Sequence, residues 1–344
     1  MNTIEVTSIF KNFEAIAPDF TVVHLTSGHI NHTFLVQNNQ KQYILQKVNT
    51  SIFKNLAIIT LNIKIISKHL QSKLYPYKIL TPLVFQSGDY LHDKSWRIFE
   101  YLKDTQIFEK VQSKEQAYEA AKFLSLFHFY LKDIDLNNIQ DSIDGFTNFN
   151  SRILHFEIAL QNALPERLLT AKAEIEAIHH QYNIFEQWNN IVKRMPKRLI
   201  HADPKISNFL FHKNSSSEIK ALIDWDTFMC GTILYDFGDM VRSYTNLRAE
   251  DDAENYNNFS FENYLALKEG FLFYLKDELE PIEIENFELI AQMVILIQAI
   301  RFLTDYLNHD KYYIIHYPEQ NLNRTRNQLN LLHEMNHILS KNKV

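Results

Sequence analysis

Residues 199–211 read LIHADPKISNFLF, and three polar residues, His201, Asp203 and Asn208, lie there between two apolar runs. The apolar flanks indicate that this loop is buried. Burying an imidazole, a carboxylate and an amide together costs free energy unless each finds a partner. A metal ion, a substrate or a hydrogen-bond network is therefore expected at this loop.

A second polar cluster follows at the end of an apolar strand. Residues 221–226 read ALIDWD, so that the strand ends in two acids, Asp224 and Asp226. Two acids at a strand end suit a hard cation such as Mg²⁺, which prefers oxygen ligands. The order Asp203, Asn208, Asp224 is that of a base, an amide ligand and a carboxylate ligand, as used in phosphoryl transfer. The alternative interpretation is a buried polar turn whose acids cap helices. Asp226 is open to either assignment, a second metal ligand or a strand-end acid.

The chain up to about residue 102 consists mainly of short apolar runs. Residues 21–48 contain TVVHL, TFLV and YILQKV, separated by polar joints, which predicts strands connected by hairpin turns. Helical spacing over residues 51–74 predicts one helix, and two further strands are predicted around residues 83–85 and 96–101. These elements predict a small lobe with an antiparallel sheet and a helix.

Long amphipathic patterns replace the short runs beyond Lys103. Helices are predicted over residues 114–130, 148–164 and 171–194, and the end of the chain again has helical spacing. We therefore predict an α+β, bilobal fold with a domain boundary at residues 102 and 103, between a small N-terminal lobe and a larger, mainly helical C-terminal lobe.

Composition narrows the class of protein. A net charge of −6 over 344 residues gives no electrostatic reason to expect a nucleic acid or an anionic membrane as partner. Residues 1–20 contain charges among their apolar residues, and Gln298 and Arg301 interrupt the most apolar stretch, so that neither a signal peptide nor a spanning segment is expected. A cytoplasmic protein is predicted. Cys230 is the single cysteine, which excludes an internal disulfide and a thiolate metal cluster.

The two polar clusters together carry a resemblance to a known family. The spacing HxDxxxxN at His201, Asp203 and Asn208, followed by IDWD at residues 223–226 and YDFGD at residues 235–239, resembles the aminoglycoside phosphotransferase and choline kinase family. Within that family, five further segments are similar to N-acetylhexosamine 1-kinases: SGHIN at 27–31, YILQKVN at 43–49, DWDT at 224–227, RFLTDYL at 301–307 and NLNRTRNQ at 321–328.

The resemblance implies a protein-kinase-like fold and a kinase that uses ATP and Mg²⁺, held in a cleft between the lobes. It implies that Asp203 is the catalytic base and that Asn208 and Asp224 bind Mg²⁺. His201 would orient the loop, and Asp236 would brace it. Catalysis would then rest on positioning and charge stabilisation rather than on a covalent intermediate.

The nucleotide contacts implied by the resemblance differ from those of protein kinases. The chain has only six glycines, which excludes a GxGxxG loop over the phosphates in the first lobe. A hinge at residues 98–103 would pair with adenine through its backbone. Lys47 is the candidate phosphate contact, although Gln46 is the alternative at this strand position. The predicted nucleotide-binding residues are Ser27, Gly28, Asn31, Lys47, Glu100 and Leu102.

The resemblance makes a sugar, phosphorylated at its anomeric hydroxyl, the expected small-molecule acceptor. Arg301 lies in an otherwise apolar helix and must either be paired, for example with Asp305, or face a cleft. Tyr312 could stack on a sugar face, and His29 could also touch the sugar. The predicted acceptor contacts are thus Arg301, Tyr312 and His29.

Two alternative functions remain open. A kinase for a cationic amine, such as choline or an aminoglycoside, would need acids or an aromatic cage, and residues 250–254 together with Tyr244 offer both. An acidic run of this kind is more often a solvated face. The other alternative is a catalytically inactive nucleotide-binding protein, against which the intact residues Asp203, Asn208 and Asp224 argue.

Overall fold

The computed structural model describes residues 3–13, 20–25, 31–38, 40–254 and 256–342. The chain forms two compact units. The first unit comprises residues 1–106, 133–144 and 210–230, and the second comprises residues 107–132, 145–209 and 231–344. The functional boundary at residue 102 stays a prediction.

Helices account for most of the second unit and strands for much of the first. The strands are β1 Thr21–Leu25, β2 His32–Gln37, β3 Gln42–Lys47, β4 Trp96–Glu100, β5 Thr105–Gln106, β6 Arg198–Ile200, β7 Phe209–His212, β8 Ile219–Leu222 and β9 Met229–Gly231. The helices are α1 Thr3–Phe10, α2 Leu56–Ser72, α3 Lys114–Leu131, α4 Phe149–Asn162, α5 Pro165–Thr170, α6 Lys172–His180, α7 Tyr182–Ile191, α8 Leu234–Tyr244, α9 Phe261–Leu275, α10 Pro281–Ile284, α11 Phe287–Leu307 and α12 Gln320–Asn342.

An antiparallel four-stranded sheet in the order β1-β2-β3-β4 forms the centre of the first unit. Alternate residues of its strands, such as Phe34, Leu45 and Ile98, are buried on one face, where Val6 and Phe10 of α1 join the same core. This alternation is the period-2 pattern of a sheet with one covered face. The predicted antiparallel sheet with one following helix is confirmed, whereas α1 is an element that the sequence analysis did not predict.

One predicted strand is wrong. Residues 83–85 are not in a strand, although the Leu83 N–H donates to the Ile98 carbonyl at 2.8 Å. Pro82, which precedes this segment, has no N–H and cannot continue a hydrogen-bonded ladder. The segment therefore runs beside β4 without becoming a regular strand.

The predicted helices of the second unit are mostly close to their observed bounds. The pattern over residues 114–130 corresponds to α3, whose first turn is capped by the Ser113 side chain accepting the Gln116 N–H at 3.2 Å. The pattern over residues 148–164 corresponds to α4, capped by Asn148. The single helix predicted over residues 171–194 is wrong: the chain breaks at Gln181 into α6 and α7, and nothing in the sequence pattern explains this break.

Helix α11 is the central helix of the second unit and packs against α4, α8 and α12. It is long and apolar enough to cross a membrane, with a mean hydropathy of 1.6, yet 67% of that window is buried inside the fold. Burial within the protein accounts for its apolar composition. Gly238 of α8 permits the close approach to α11, because a Cβ there would lie 2.8 Å from Val294 Cγ2.

Candidate active site

Asp236, at the start of α8, fixes the loop that follows β6 in the second unit. Its Oδ2 accepts the main-chain N–H of His201 at 2.8 Å, and its Oδ1 accepts that of Ala202 at 2.7 Å. His128 Nε2 of α3 lies 3.0 Å from Asp236 Oδ2, and all these groups are buried. A fully hydrogen-bonded buried carboxylate of this kind holds the loop rigidly in one conformation.

The side chain of Asp203 stands at the partly exposed tip of this loop. Asn208 Nδ2 donates to the Asp203 carbonyl at 2.8 Å and to Asp203 Oδ2 at 3.2 Å, and Lys205 Nζ lies 3.2 Å from the same Oδ2. The Asp203 N–H points to His201 Nδ1 at 3.3 Å. The side chain of Asp203 is 27% exposed, whereas Asn208 and His201 are buried. The partly exposed carboxylate of Asp203 agrees with its assignment as the base, which stays a prediction.

Backbone strain marks the same loop. Ala202 has a φ of +66°, a left-handed conformation that costs free energy for any residue with a Cβ. Tyr244, at the end of α8, is buried, and its hydroxyl donates to the Pro204 carbonyl at 3.0 Å. Tyr244 therefore supports the catalytic loop, and the prediction that it could belong to an aromatic cage for a cation is wrong.

Asp239 lies one turn after Asp236 and is paired with Arg242. The Arg242 Nε donates to Asp239 Oδ1 at 2.8 Å. Burial raises the pKa of the Asp239 carboxyl, Arg242 opposes this rise, and the negative charge of Asp203 adds to it. The pairing with Arg242 gives Asp239 a structural role within α8.

The two acids of the IDWD segment have different surroundings in the first unit. Asp224 has a φ of +61° and a ψ of +56° and immediately precedes a short 3₁₀ turn, Trp225–Thr227. Asp226 is buried, and Arg97 of β4 binds it with both Nη atoms, with Nη2 2.7 Å from Oδ2. Asn31 Nδ2 lies 3.4 Å from Asp226 Oδ2. Since Arg97 already neutralises Asp226, Asp224 is the acid of the pair that remains the predicted metal ligand.

Gln46 and Lys47 point to opposite faces of the sheet, as successive residues of a strand must. Gln46 Oε1 accepts the Arg97 Nε at 2.8 Å and so belongs to the network of Asp226. Lys47 Nζ is 3.3 Å from Glu5 and 5.3 Å from the centre of the Trp96 ring. The role of Lys47 as a phosphate contact stays a prediction, and its pairing with Glu5 favours Gln46 as the residue on the side of Asp226.

The predicted hinge follows β4 without a break. Glu100 ends the strand and pairs with Lys78 at 2.7 Å, and the Leu102 carbonyl accepts the Thr105 hydroxyl at 2.7 Å. The pairing of this backbone with adenine stays a prediction. Three predicted contacts lie outside the described residues: Ser27, Gly28 and His29.

The donor set predicted for Mg²⁺ consists of one carboxylate, that of Asp224, and one amide, that of Asn208. Among the described residues, no group of three His, Cys, Asp or Glu side chains could hold a metal ion. The predicted set is of a different kind, because one of its ligands is an amide. The Asn208 amide nitrogen is fixed by the Asp203 carbonyl, so the amide oxygen is the end left to bind a cation. These oxygen donors fit Mg²⁺ in type. Asn208 and Asp224 would hold the ion.

The predicted acceptor residues lie on α11 and in the loop that follows it. Arg301 Nη1 donates to Gln298 Oε1 at 3.0 Å. Asp305, the alternative partner for Arg301, is buried and accepts the N–H groups of Lys311, Tyr312 and Tyr313 at 2.8–2.9 Å. An ion pair between Arg301 and Asp305 is therefore ruled out. Asp305 instead shapes the loop that carries the two tyrosines.

Comparison with known proteins identifies the family. The family model described as the phosphotransferase enzyme family matches residues 21–269. The chain belongs to this family, that of the aminoglycoside phosphotransferases and choline kinases. The predicted enzyme class, a phosphotransferase of the small-molecule kinase kind, is thereby confirmed.

Three solved structures illustrate the likeness of fold. A choline kinase from Cryptosporidium parvum Iowa II is 13% identical, with 99% of this chain and 97% of that chain covered and a TM-score of 0.59. A spectinomycin phosphotransferase in complex with ADP and spectinomycin is 13% identical, with 97% of each chain covered and a TM-score of 0.61. A microcompartment-associated aminopropanol kinase is 14% identical, with 99% and 98% covered and a TM-score of 0.63. The predicted protein-kinase-like fold is confirmed.

Sequence reasoning missed several residues of this phosphotransferase site. His128 is a lone histidine on a helix otherwise rich in apolar residues, and Arg97 is a charge within the apolar strand β4; both were recognisable as polar groups that burial would force to find partners. Arg152 and Tyr313, which neighbour Arg301, were also missed. Nothing in the sequence around Arg152 distinguishes it from a solvated arginine.

Proposed function

We propose that the chain transfers the γ-phosphate of ATP to the anomeric hydroxyl of an N-acetylhexosamine or a related sugar. The observation that carries the proposal is the loop of the second unit that Asp236 holds in place. In this loop His201 and Asn208 are buried, whereas the carboxylate of Asp203 stays partly exposed. A rigid loop that presents one carboxylate is what a general base needs, because the base must lie within hydrogen-bond reach of the hydroxyl.

The chemistry follows from the positions of these side chains. Asp203 accepts the proton of the acceptor hydroxyl, while the oxygen attacks the γ-phosphorus and the bond to the β-γ bridging oxygen breaks, which releases ADP. Asn208 and Asp224 would hold Mg²⁺, which would supply positive charge to the phosphate groups of ATP. The Asp236 brace and the Asn208 hydrogen bonds keep Asp203 in place without rearrangement during the reaction.

The sugar assignment is supported by the segments that resemble N-acetylhexosamine 1-kinases and by the surroundings of Arg301. The Arg301 Cζ lies 5.6 Å from the centre of the Phe146 ring and 5.8 Å from that of Tyr313. Tyr312 is 55% exposed and packs edge-on against Tyr313, with ring centres 4.8 Å apart. Aromatic faces beside polar groups suit the alternating apolar and hydroxyl faces of a sugar ring.

The cationic-amine alternative is less well supported. The acids at residues 250–254 already have partners: Arg248 Nη1 lies 3.2 and 3.4 Å from two of them, and Arg324 Nε lies 3.2 Å from Glu250. Asp251 accepts hydrogen bonds from a tyrosine hydroxyl and a glutamine amide. Acids engaged in this way are not free to pair with a substrate ammonium group.

The test is the identity of the product. The protein is incubated with Mg²⁺, ATP and N-acetylglucosamine, and phosphorus NMR is expected to show a phosphate coupled to the anomeric proton. The methyl glycoside, whose anomeric hydroxyl is blocked, should not be phosphorylated, and the Asp203→Asn variant serves as the control for contaminating kinases. Phosphorylation of the methyl glycoside, or turnover of choline in place of sugars, would show that the anomeric assignment is wrong.

A further inference from the structure

Two arginines of the second unit face each other from neighbouring helices without a carboxylate partner. Arg152 lies on α4 and Arg301 on α11, and these helices pack together. Among the described residues, no carboxylate lies within 4.0 Å of either guanidinium. Arg152 Nη2 donates only a long bond of 3.4 Å to the Phe146 carbonyl, and its Nε is fully buried without a hydrogen-bond partner. Both side chains are half-buried, and leaving a guanidinium with a fully buried nitrogen unpaired is costly, so the arrangement calls for an additional group.

Other arginines of the same unit show what the usual arrangement is. Each of four is paired with a carboxylate at 2.7–2.8 Å: Arg167 with Asp310, Arg198 with Glu283, Arg242 with Asp239 and Arg326 with Glu174. Two acids of the same unit, Asp305 and Glu250, are engaged elsewhere. Asp305 is saturated by main-chain N–H groups, and Glu250 lies beside Arg324. The missing partner of Arg152 and Arg301 is therefore not supplied by the described part of the chain.

The electrostatics agree with this count of partners. Burial lowers the pKa of the Arg152 guanidinium, and the positive charge of Arg301 lowers it further. Burial also lowers the pKa of Arg301, but the phenol oxygens of Tyr313, Tyr235 and Tyr312 reverse the direction of the shift. Phenols are neutral at physiological pH, so they offer hydrogen bonds but no negative charge. Two positive charges thus remain without an anion.

The pair lies on the side of the unit that carries the catalytic loop. Asp203 and Asp239 both act electrostatically on Arg242, and Arg242 acts in turn on Arg301. Phe146 and Tyr313 flank the Arg301 guanidinium with aromatic rings. Phe146 also packs against Tyr235, with ring centres 6.3 Å apart, and Tyr235 immediately precedes Asp236, which holds the loop of Asp203.

We infer that the acceptor of this phosphotransferase carries an anionic group, a carboxylate or a phosphate, which Arg152 and Arg301 bind together. The inference rests on the proposed function, since it describes the acceptor of the same site. The planar fork of a guanidinium matches carboxylate and phosphate oxygens in pairs, and two forks are well suited to one anion. A neutral sugar would leave both positive charges unpaired, and a cationic amine would add a third positive charge.

The experiment compares N-acetylglucosamine with derivatives that carry a C6 carboxylate, a 6-phosphate or a lactic acid ether at O3. We expect at least one anionic derivative to exceed the neutral sugar in kcat/KM by more than about tenfold, mainly through KM. The Arg152→Met and Arg301→Met variants should each lose more than about tenfold in kcat/KM with that derivative and clearly less with the neutral sugar, at unchanged KM for ATP. Arg194→Met, at an exposed arginine, is the matched control. The carboxylate and phosphate arms distinguish the two kinds of anion.

The outcomes separate this inference from the proposed function. If the anionic derivative is phosphorylated at a different hydroxyl, the anomeric assignment fails and the charge requirement stands. If the variants lose neutral and anionic acceptors equally, or if the neutral sugar is the better acceptor in the wild type, the anionic acceptor is excluded. Calorimetric titration with inorganic phosphate and with acetate gives a readout free of turnover. Equal affinities of the wild type and the Arg152→Met/Arg301→Met double variant for both anions would overturn the inference even if no sugar reacted.

Discussion

Arg97 of β4 binds the carboxylate of Asp226, 129 positions further along the chain, with both terminal nitrogens of its guanidinium. Both side chains are buried, 4% and 1% exposed. Gln46 of β3 accepts a hydrogen bond from the same arginine. The two acids of the IDWD segment therefore differ: Asp226 is the ion-pair partner of Arg97 in β4, whereas the role of Asp224 as a metal ligand stays a prediction.

This ion pair leads to a prediction about stability. Arg97→Met or Asp226→Leu alone leaves a buried charge unpaired and should each lower the free energy of unfolding by about 3–5 kcal/mol. The double variant replaces both charges by apolar groups, so its loss should be clearly smaller than the sum of the two. Urea unfolding of the three variants and the wild type measures this cycle. Strictly additive losses would mean that the two side chains do not depend on each other.

The loop geometry predicts the effect of neutralising the base. Asp203→Asn keeps the size of the side chain but cannot accept the hydroxyl proton, so kcat should fall by at least about a hundredfold while MgATP affinity stays within severalfold. Steady-state kinetics and calorimetry measure the two quantities. Lys205→Met, which removes the neighbouring charge only, is the comparison. Turnover near the wild-type rate in Asp203→Asn would remove Asp203 from this role.

The left-handed conformation of Asp224 allows its carboxylate and its backbone to be tested separately. Asp224→Gly and Asp224→Ala both remove the ligand and should abolish the Mg²⁺ dependence of nucleotide binding. Because a Cβ is unfavourable at positive φ, the glycine variant should be more stable than the alanine variant by about 1 kcal/mol. Calorimetry with and without Mg²⁺ and urea unfolding provide the data. MgATP binding by Asp224→Gly at wild-type affinity would rule out the ligand role.

The Asp236 brace predicts a graded series. Asp236→Ala removes the acceptor for two main-chain N–H groups and for His128, so we expect a lower melting temperature and a loss of kcat of more than about tenfold. Asp236→Asn retains one acceptor oxygen and should be intermediate. Asp277→Asn, at an exposed acid, should change neither quantity. A fully active Asp236→Ala variant would show that the loop holds its shape without the brace.

Asp305 offers a test that does not depend on the acceptor. Its carboxylate accepts the N–H groups of residues 311–313 and the Asn321 side chain. Asp305→Ala should therefore accelerate hydrogen exchange at residues 311–313 by more than about tenfold, with little change in the sheet of the first unit. Exchange measured by mass spectrometry on peptides covers both regions. Unchanged protection of residues 311–313 would mean that these hydrogen bonds do not order the loop.

Local spacing in the chain was sufficient to predict the larger part of the fold. Strands β2 and β3 follow from period-2 alternation, and α3 and α4 from helical spacing with a serine or an asparagine at the first turn, because these patterns depend on residues within a few positions of one another. The predicted strand at residues 83–85 and the continuous helix over residues 171–194 failed. At the strand, a missing N–H prevented regular pairing; the break at Gln181 has no sign in the local pattern.

The residues of the candidate site likewise fall into those that the sequence could predict and those that it could not. The motif residues His201, Asp203, Asn208 and Asp224 could be recognised because their type and spacing along one short stretch already indicate phosphoryl transfer. The resemblance also implied the brace by Asp236. The pairings of Asp236 with His128 and of Asp226 with Arg97 could not be recognised, since each joins residues more than a hundred positions apart in the chain.

Residue type and short-range spacing, which a linear chain contains in full, thus specified the class of enzyme and the kind of fold, and they predict the position of the base. Folding alone decided which charges are neutralised. Arg301 and Arg152 lie on helices far apart in the chain, and neither local sequence indicates whether a carboxylate will be within reach. The answer depends on which side chains are removed from water together, because desolvation makes a partner necessary and packing determines which partners are available.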